Sequence, residues 1–226
     1  MRKRMELIVV IMAIVGLVWL SKNLESYVSS GKVKSEEKTV VLDAGHGGRD
    51  AGKVGVNGAL EKDINLAIAK MVKKELEKKD VRVIMTRQKD ECLAKDPSGN
   101  QKIQDMRERI ELINKSKPAL AVSIHQNSFH QSDVKGAQVF FFTHSAQGEK
   151  DAAIMQDILR TVDKDNTKQP KANDTYYLLK KTEAPLLIVE CGFLSNPEEA
   201  EQLSDEEYQK QMAKAIADGI LACLQD

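Results

Sequence analysis

Residues 39–85 read TVVLDAGHGGRDAGKVGVNGALEKDINLAIAKMVKKELEKKDVRVIM. The run opens on TVVL (39–42), a short β-branched stretch of strand length, and passes through a glycine-rich turn. It then places Ile64, Ile68, Met71, Val72 and Leu76 on one face of a helix expected over 61–79, and closes on a second strand, VRVIM, at 81–85. Outward from it the alternation continues. ALAVSI (119–124), QVFFF (138–142), TYYLL (175–179) and LLIV (186–189) have the length and the β-branched or aromatic content of strands. Residues 101–115, with Ile103, Met106, Ile110 and Ile113 on one face, and residues 149–162 read as helices between them. Near the end, Asn196-Pro197-Glu198-Glu199 supplies a cap, a first-turn proline and first-turn acids, and Ser204-x-x-Glu207 reads as a capping box opening a last helix that runs to about Leu224. This pattern predicts an α/β fold: a single domain with a mostly parallel, twisted, six-stranded sheet flanked by helices.

The chain has 226 residues, 34 Lys+Arg against 34 Asp+Glu, 42% apolar residues, 13 Gly and 5 Pro. These values fit an ordinary domain and exclude both a low-complexity chain and a basic, nucleic-acid-binding surface. The balance is uneven along the chain: residues 1–37 carry six basic and four acidic groups, which leaves the remainder mildly acidic, 28 against 30. Arg2, Lys3 and Arg4 precede fourteen uncharged residues, Leu7–Leu20, the pattern of an export signal. A helix of that length spans about 21 Å against a hydrocarbon core of roughly 30 Å, so both a cleaved signal and an uncleaved anchor fit, the anchor slightly better. Residues 1–22 are therefore expected to be a signal peptide or membrane anchor, 23–38 a polar linker, and 39–226 the folded domain, facing outward from the cytoplasmic membrane. Cys92, Cys191 and Cys223 are an odd number and suggest no disulfide framework.

In open α/β sheets, ligands gather beyond the carboxyl ends of the strands. Three predicted strands run into DAGHGG, HQNS and ECGF, bringing His46, His125 and Glu190 to that rim, and Glu61, at the start of the first helix, can reach it too. Two imidazoles and a carboxylate are the ligand set of a catalytic zinc, with a further carboxylate to carry protons. Their spacing matches no local metal motif, and each residue singly is equally at home as a turn histidine, a strand-end histidine, a helix-start acid or a salt-bridge partner. Their coincidence at one edge is what points to a metal, since two of only four histidines lie there. His130 and His144 fall in polar loops and are not expected to be ligands. The glycine turn lacks both the Lys-Ser/Thr ending of a P-loop and the G-x-G-x-x-G spacing of a dinucleotide site.

Taken together, VVLDAGHGG, GALEKDINLAIA, MTR (85–87), MRERIELIN, SIHQNS, KGAQVFFF and IVECGFLSNPEEAEQL resemble the zinc-dependent N-acetylmuramoyl-L-alanine amidases over nearly all of 39–224. The resemblance implies one zinc held by His46, Glu61 and His125 at the C-terminal ends of the strands, with Glu190 as catalytic acid/base. The implied reaction is hydrolysis of the amide between the lactyl group of muramic acid and L-alanine in peptidoglycan. Arg87, Arg109 and Asn127 also fall in motif positions, as substrate-orienting groups, as supports behind the ligands, or as structural ion pairs and caps. Gln126 stands where many relatives have a small residue, and Cys191 where an aliphatic is common. The one-domain architecture is similar to the spore-cortex amidases that prepare muramic-lactam, which implies action outside the cytoplasmic membrane, in the space between the forespore membranes. Control is expected from an activating or targeting protein or from the N-terminal segment, with contact to the membrane only through that segment and none with nucleic acid. The competing expectations are a non-catalytic wall-binding or regulatory module on the same fold, and another zinc peptidase acting within the stem.

Overall fold

The computed structural model describes residues 38–95 and 99–225, together with Met12. The expected signal or anchor and the linker therefore lie outside the described residues, Met12 and Lys38 apart. Lys38–Asp226 is one unit, and among the described residues no helix is long and apolar enough to cross a membrane. The elements run β1 (Thr39–Ala44), α1 (Glu61–Glu77), β2 (Arg82–Met85), α2 (Gln101–Ser116), β3 (Leu120–Asn127), β4 (Gln138–Phe142), α3 (Ala146–Leu159), β5 (Lys171–Asn173), α4 (Tyr177–Lys181), β6 (Leu186–Phe193), α5 (Pro197–Ser204) and α6 (Glu206–Cys223).

The six strands form one sheet in the order β2-β1-β3-β6-β4-β5. Every pairing is parallel except β4 with β6. Both faces are covered, which is why the central strands are apolar at consecutive positions rather than alternating with polar ones. The period of two divides them between two cores. Val40, Leu42, Val122, Ile124, Leu187 and Val189 face a large core closed by α1, α3 and α6, with Ile68, Leu76, Met155 and Ile216 fully or almost fully buried there. Val41, Ala121, Phe140 and Ile188 face a smaller one closed by Ile113 of α2 and Leu178 and Leu179 of α4. Each such aliphatic contributes about 1.5–3 kcal/mol through burial, so the larger core carries most of the hydrophobic stabilisation and the thinner cover on the other face leaves room for a cavity.

Two elements differ from the sequence reading. TYYLL is not the fifth strand. The Asn173 side chain accepts from the amides of Thr175 and Tyr176, a turn that starts the short helix α4, and the edge strand is the polar KAN at 171–173, beside β4. Ser204 does not cap the last helix either. Its hydroxyl donates back to the Ala200 carbonyl as the final residue of α5, and the Asp205 carboxylate takes over as N-cap of α6 by accepting from the Tyr208 amide. Asn196 caps α5 with Pro197 in its first turn, as expected.

Candidate active site

The sheet order decides what meets at its carboxyl edge: β1, β3 and β6 are adjacent, although far apart in the chain. His125 and Glu190 are paired across β3 and β6, so their side chains leave the same face. His46 follows β1 by two residues, in a left-handed backbone conformation with φ 61° that a non-glycine residue adopts at a cost of about 1–2 kcal/mol. Two buried arginines hold that turn. Arg87 donates from Nε to the Ala44 carbonyl and from Nη2 to those of Gly45 and Lys62, while Arg109 donates from Nη1 to Ala44 and from Nη2 to His46. Glu61 opens α1, whose first amides are satisfied by the same turn segment, Glu61 N–H donating to the Lys53 carbonyl and Lys62 N–H to that of Ala51. The glycine-rich turn and the helix start are thus stitched into one piece.

Glu61 Oε1 lies 3.2 Å from His46 Nε2 and 3.0 Å from His125 Nδ1. One donor atom from each of the three residues falls within 4.8 Å of the others, a group with the geometry to hold a metal ion. The carboxylate is aimed by two backbone donors, Gln126 N–H on Oε1 at 3.1 Å and Lys53 N–H on Oε2 at 2.7 Å. On the far side of His46, Nδ1 lies 2.9 Å from Asp50 Oδ2, the carboxylate–imidazole arrangement that turns the other ring nitrogen, Nε2, toward a metal. Burial would raise the Glu61 carboxyl, but hydrogen bonds and charge from His125 and His46 outweigh it and hold it well below the ordinary range. Burial would likewise lower His125, and Glu61 and Glu190 reverse that and raise it. Glu61 and His125 thus each favour the charge opposite to the other's. Gly45 and Gly52 let them approach: a Cβ on Gly45 would lie 2.2 Å from the His125 ring, and one on Gly52, at φ +70°, 2.5 Å from Glu61 Oε2.

Glu190 stands beside this group and is different. Burial, opposed in part by His125 and reinforced by Glu61, pushes its carboxyl up to about 7. Its Oε2 is buried and makes no hydrogen bond, an expensive arrangement for a carboxylate unless a ligand completes it. The cavity in front of it has a volume of about 280 Å³; Tyr176, Leu178 and Ile188 form an apolar wall, and Asn127 and Lys53 lie at its polar side. This donor set suits zinc, which takes imidazole nitrogen and carboxylate oxygen and leaves a position open in catalytic sites.

His46, Glu61, His125 and Glu190 are brought together, and Asn127 lines the same cavity. Arg87 is not on its wall: its guanidinium is buried and donates to four carbonyls, Lys89 the fourth, so it supports the His46 turn from behind. Arg109 also supports that turn, from α2, while pairing with Asp43 at 2.6 Å and Asp105 at 2.7 Å, and unlike Arg87 it is part of the cavity lining. His130 and His144 stay apart from the site, His130 tilted against Phe129 and His144 edge-on to Phe142. Sequence reasoning missed Asp50 and Asn65. Their signals were a carboxylate four residues after His46 in the same turn, and an amide four residues after Glu61 on the helix face that should be apolar.

Comparisons with known proteins agree with this picture. The germination-specific N-acetylmuramoyl-L-alanine amidase of Bacillus subtilis is 38% identical over 98% of this chain and 95% of its own length. The CwlD amidase from Clostridioides difficile, solved in complex with the GerS lipoprotein, superimposes with a TM-score of 0.80 at 39% identity, covering 83% of this chain and 98% of that one. An N-acetylmuramoyl-L-alanine amidase from Clostridium difficile 630 gives a TM-score of 0.75 at 29% identity, over 85% and 99%. With the Amidase_3 profile, described as N-acetylmuramoyl-L-alanine amidase, also matching residues 40–222, the chain belongs to the N-acetylmuramoyl-L-alanine amidase family and is a hydrolase.

Proposed function

We propose that this chain hydrolyses the amide joining the lactyl group of muramic acid to L-alanine in spore-cortex peptidoglycan, with one zinc ion held by His46, Glu61 and His125 and with Glu190 as acid/base. The observation that carries it is Glu190: a buried carboxyl raised to about 7, one oxygen unpartnered, beside three converging metal-type donors. Bound zinc supplies a positive charge that polarises the scissile carbonyl and acidifies water. Glu190 Oε2 accepts a proton from the attacking water as its oxygen bonds to the lactyl carbonyl carbon. The same carboxyl then delivers that proton to the alanine nitrogen as the carbon–nitrogen bond breaks. A carboxyl near neutrality can do both, which an ordinary exposed glutamate does poorly. Tyr176, Leu178 and Ile188 keep bulk water from Glu190, and Asn127 offers an amide to the substrate's polar groups. Products are a lactyl carboxylate on the glycan, from which muramic-lactam can be closed, and a stem peptide with a free L-alanine amine.

Residues 1–22 act in this account as export signal or membrane anchor and 23–38 as linker, supported by the basic cluster before an uncharged run, so the enzyme works outside the cytoplasmic membrane, between the forespore membranes. The complex of the clostridial relative with a lipoprotein supports a protein partner here as well. The experiment is a comparison of zinc-loaded parent and Glu190→Gln on purified cortex peptidoglycan, reading released amino groups and zinc content. Parent activity should fall by about 10²–10⁴ in the variant while zinc stays bound. Equal activity of the two would remove Glu190 from the reaction.

A further inference from the structure

Behind the site, on the opposite face of β3 from His125, two buried amides meet. The alternation that points His125 into the cavity points Gln126 toward α1, where Asn65 is fully buried and Gln126 nearly so. Asn65 Oδ1 accepts from Gln126 Nε2 at 3.1 Å, and Asn65 Nδ2 donates to the Gly45 carbonyl at 3.1 Å and to Glu61 Oε1 at 3.4 Å. The orientation of the Asn65 amide is fixed by chemistry: turned over, its oxygen would face a carbonyl and a carboxylate, with no donor for either. One small side chain therefore touches the residue before His46, the carboxylate of Glu61 itself, and the residue after His125.

We propose that Asn65, tied to β3 by Gln126, is a positioning residue that holds the three metal-type ligands in one frame and keeps Glu61 Oε1 turned between the two imidazoles. Without it, the Gln126 backbone amide is the one donor left on Oε1 from outside the group of three, while Oε2 stays on Lys53 N–H, so the carboxylate can pivot about that short bond and shift against the two imidazoles. The buried Gln126 Oε1 makes no hydrogen bond, so the contact that ties this amide to the site is the one its Nε2 donates to Asn65. An aliphatic side chain at either buried position would avoid that penalty.

The proposal rests on the reading that His46, Glu61 and His125 hold zinc, and the test separates the two. Zinc affinity of the full chain is measured by competition with a chromophoric chelator, alongside the visible spectrum of the cobalt-substituted chain and thermal unfolding of the apo form. A parent that binds zinc and a His46→Ala variant that does not establish the site; a parent that binds none overturns the metal reading and this proposal with it. Asn65→Leu is expected to weaken zinc by about 10–100-fold and to change the cobalt bands, the size of effect seen when groups behind metal ligands are removed. Gln156→Leu is the control, a fully buried amide on α3 that bonds only Val139 N–H and the Ala137 carbonyl, remote from the ligands. It should lower the unfolding temperature while leaving zinc affinity and cobalt spectrum as in the parent. Gln126→Met, which keeps the backbone donor to Glu61, should weaken zinc by a smaller factor, and it carries the test if Asn65→Leu does not fold. Parent-like affinity and spectrum in the Asn65 variant, or in Gln126→Met when it alone folds, overturn the proposal. So does a loss of affinity in Gln156→Leu as large as theirs, because the effect would then be one of general stability.

Discussion

At the scale of single residues, the site is a set of close approaches that only particular side chains allow. Gly45 lies against the His125 ring, and a methyl group there would overlap three of its ring atoms at 2.2–2.7 Å. Gly45→Ala should therefore keep the fold, since Gly45 is not at a positive φ, but displace the imidazole and weaken zinc by at least about tenfold, the scale set by disturbing a ligand's orientation. Isothermal titration with zinc checks it, and unchanged affinity would show that the ring can move aside without loss. The four chemistry-bearing residues were legible because the carboxyl-edge rule needs only where strands end, not which strands are neighbours. Arg87 was not, because a motif position says nothing about burial, and an arginine that donates to main-chain carbonyls looks in sequence like one that awaits substrate. Asp50 and Asn65 stayed hidden for a related reason: each acts through another residue and has no chemistry of its own to announce.

At the scale of elements, β1 and α2 are joined by a buried ion pair that also supports the His46 turn. Burial alone would raise the Asp43 carboxyl, but Arg109, Ser123 and Thr86 overcome it and bring it down to about 2. A carboxyl depressed in the folded state from an ordinary 3.8 contributes stability that is complete above pH 4 or so and is lost as pH falls toward 2. The size is roughly 2–3 kcal/mol. Urea unfolding at pH 6 and pH 3 should show the parent losing part of this contribution, while Asp43→Asn, less stable at pH 6 because Arg109 loses one of its two carboxylate partners, loses less between the two values. Equal pH dependence in both would mean that Asp43 does not titrate with folding. Helix positions were legible from apolar spacing and caps, since both are local. β5 and α4 were not: TYYLL has strand composition, but Asn173 turns the chain and Leu178 and Leu179 reach the smaller core from a helix. Asp205 displaced Ser204 as a cap because a carboxylate one residue on accepts the Tyr208 amide equally well.

At the scale of the whole molecule, a parallel sheet with one thick and one thin helical layer leaves its cavity on the thin side, at the carboxyl edge, where β1, β3 and β6 are neighbours. Sequence could predict the sheet but not its strand order, which depends on long-range pairing, and the order is what makes three distant motifs one site. Since the ligands come from three segments of one cooperative unit, zinc binding should stabilise that unit as a whole. Zinc at about 100 times its dissociation constant adds about 2.7 kcal/mol, so chelation should lower the unfolding temperature by about 5–10 °C in the parent and not in His46→Ala. An equal drop in both would place the metal elsewhere. The neutral total charge divides into a basic start and a mildly acidic remainder, so bulk attraction to an anionic wall is weak. The bond that is cut is read by mass spectrometry of cortex peptidoglycan digested by the zinc-loaded enzyme. Whole stem peptides beginning with a free L-alanine amine are expected, with glycan chains bearing unsubstituted lactyl carboxylates. Peptides cut within the stem, with L-alanine still attached to muramic acid, would contradict cleavage of the lactyl–alanine amide.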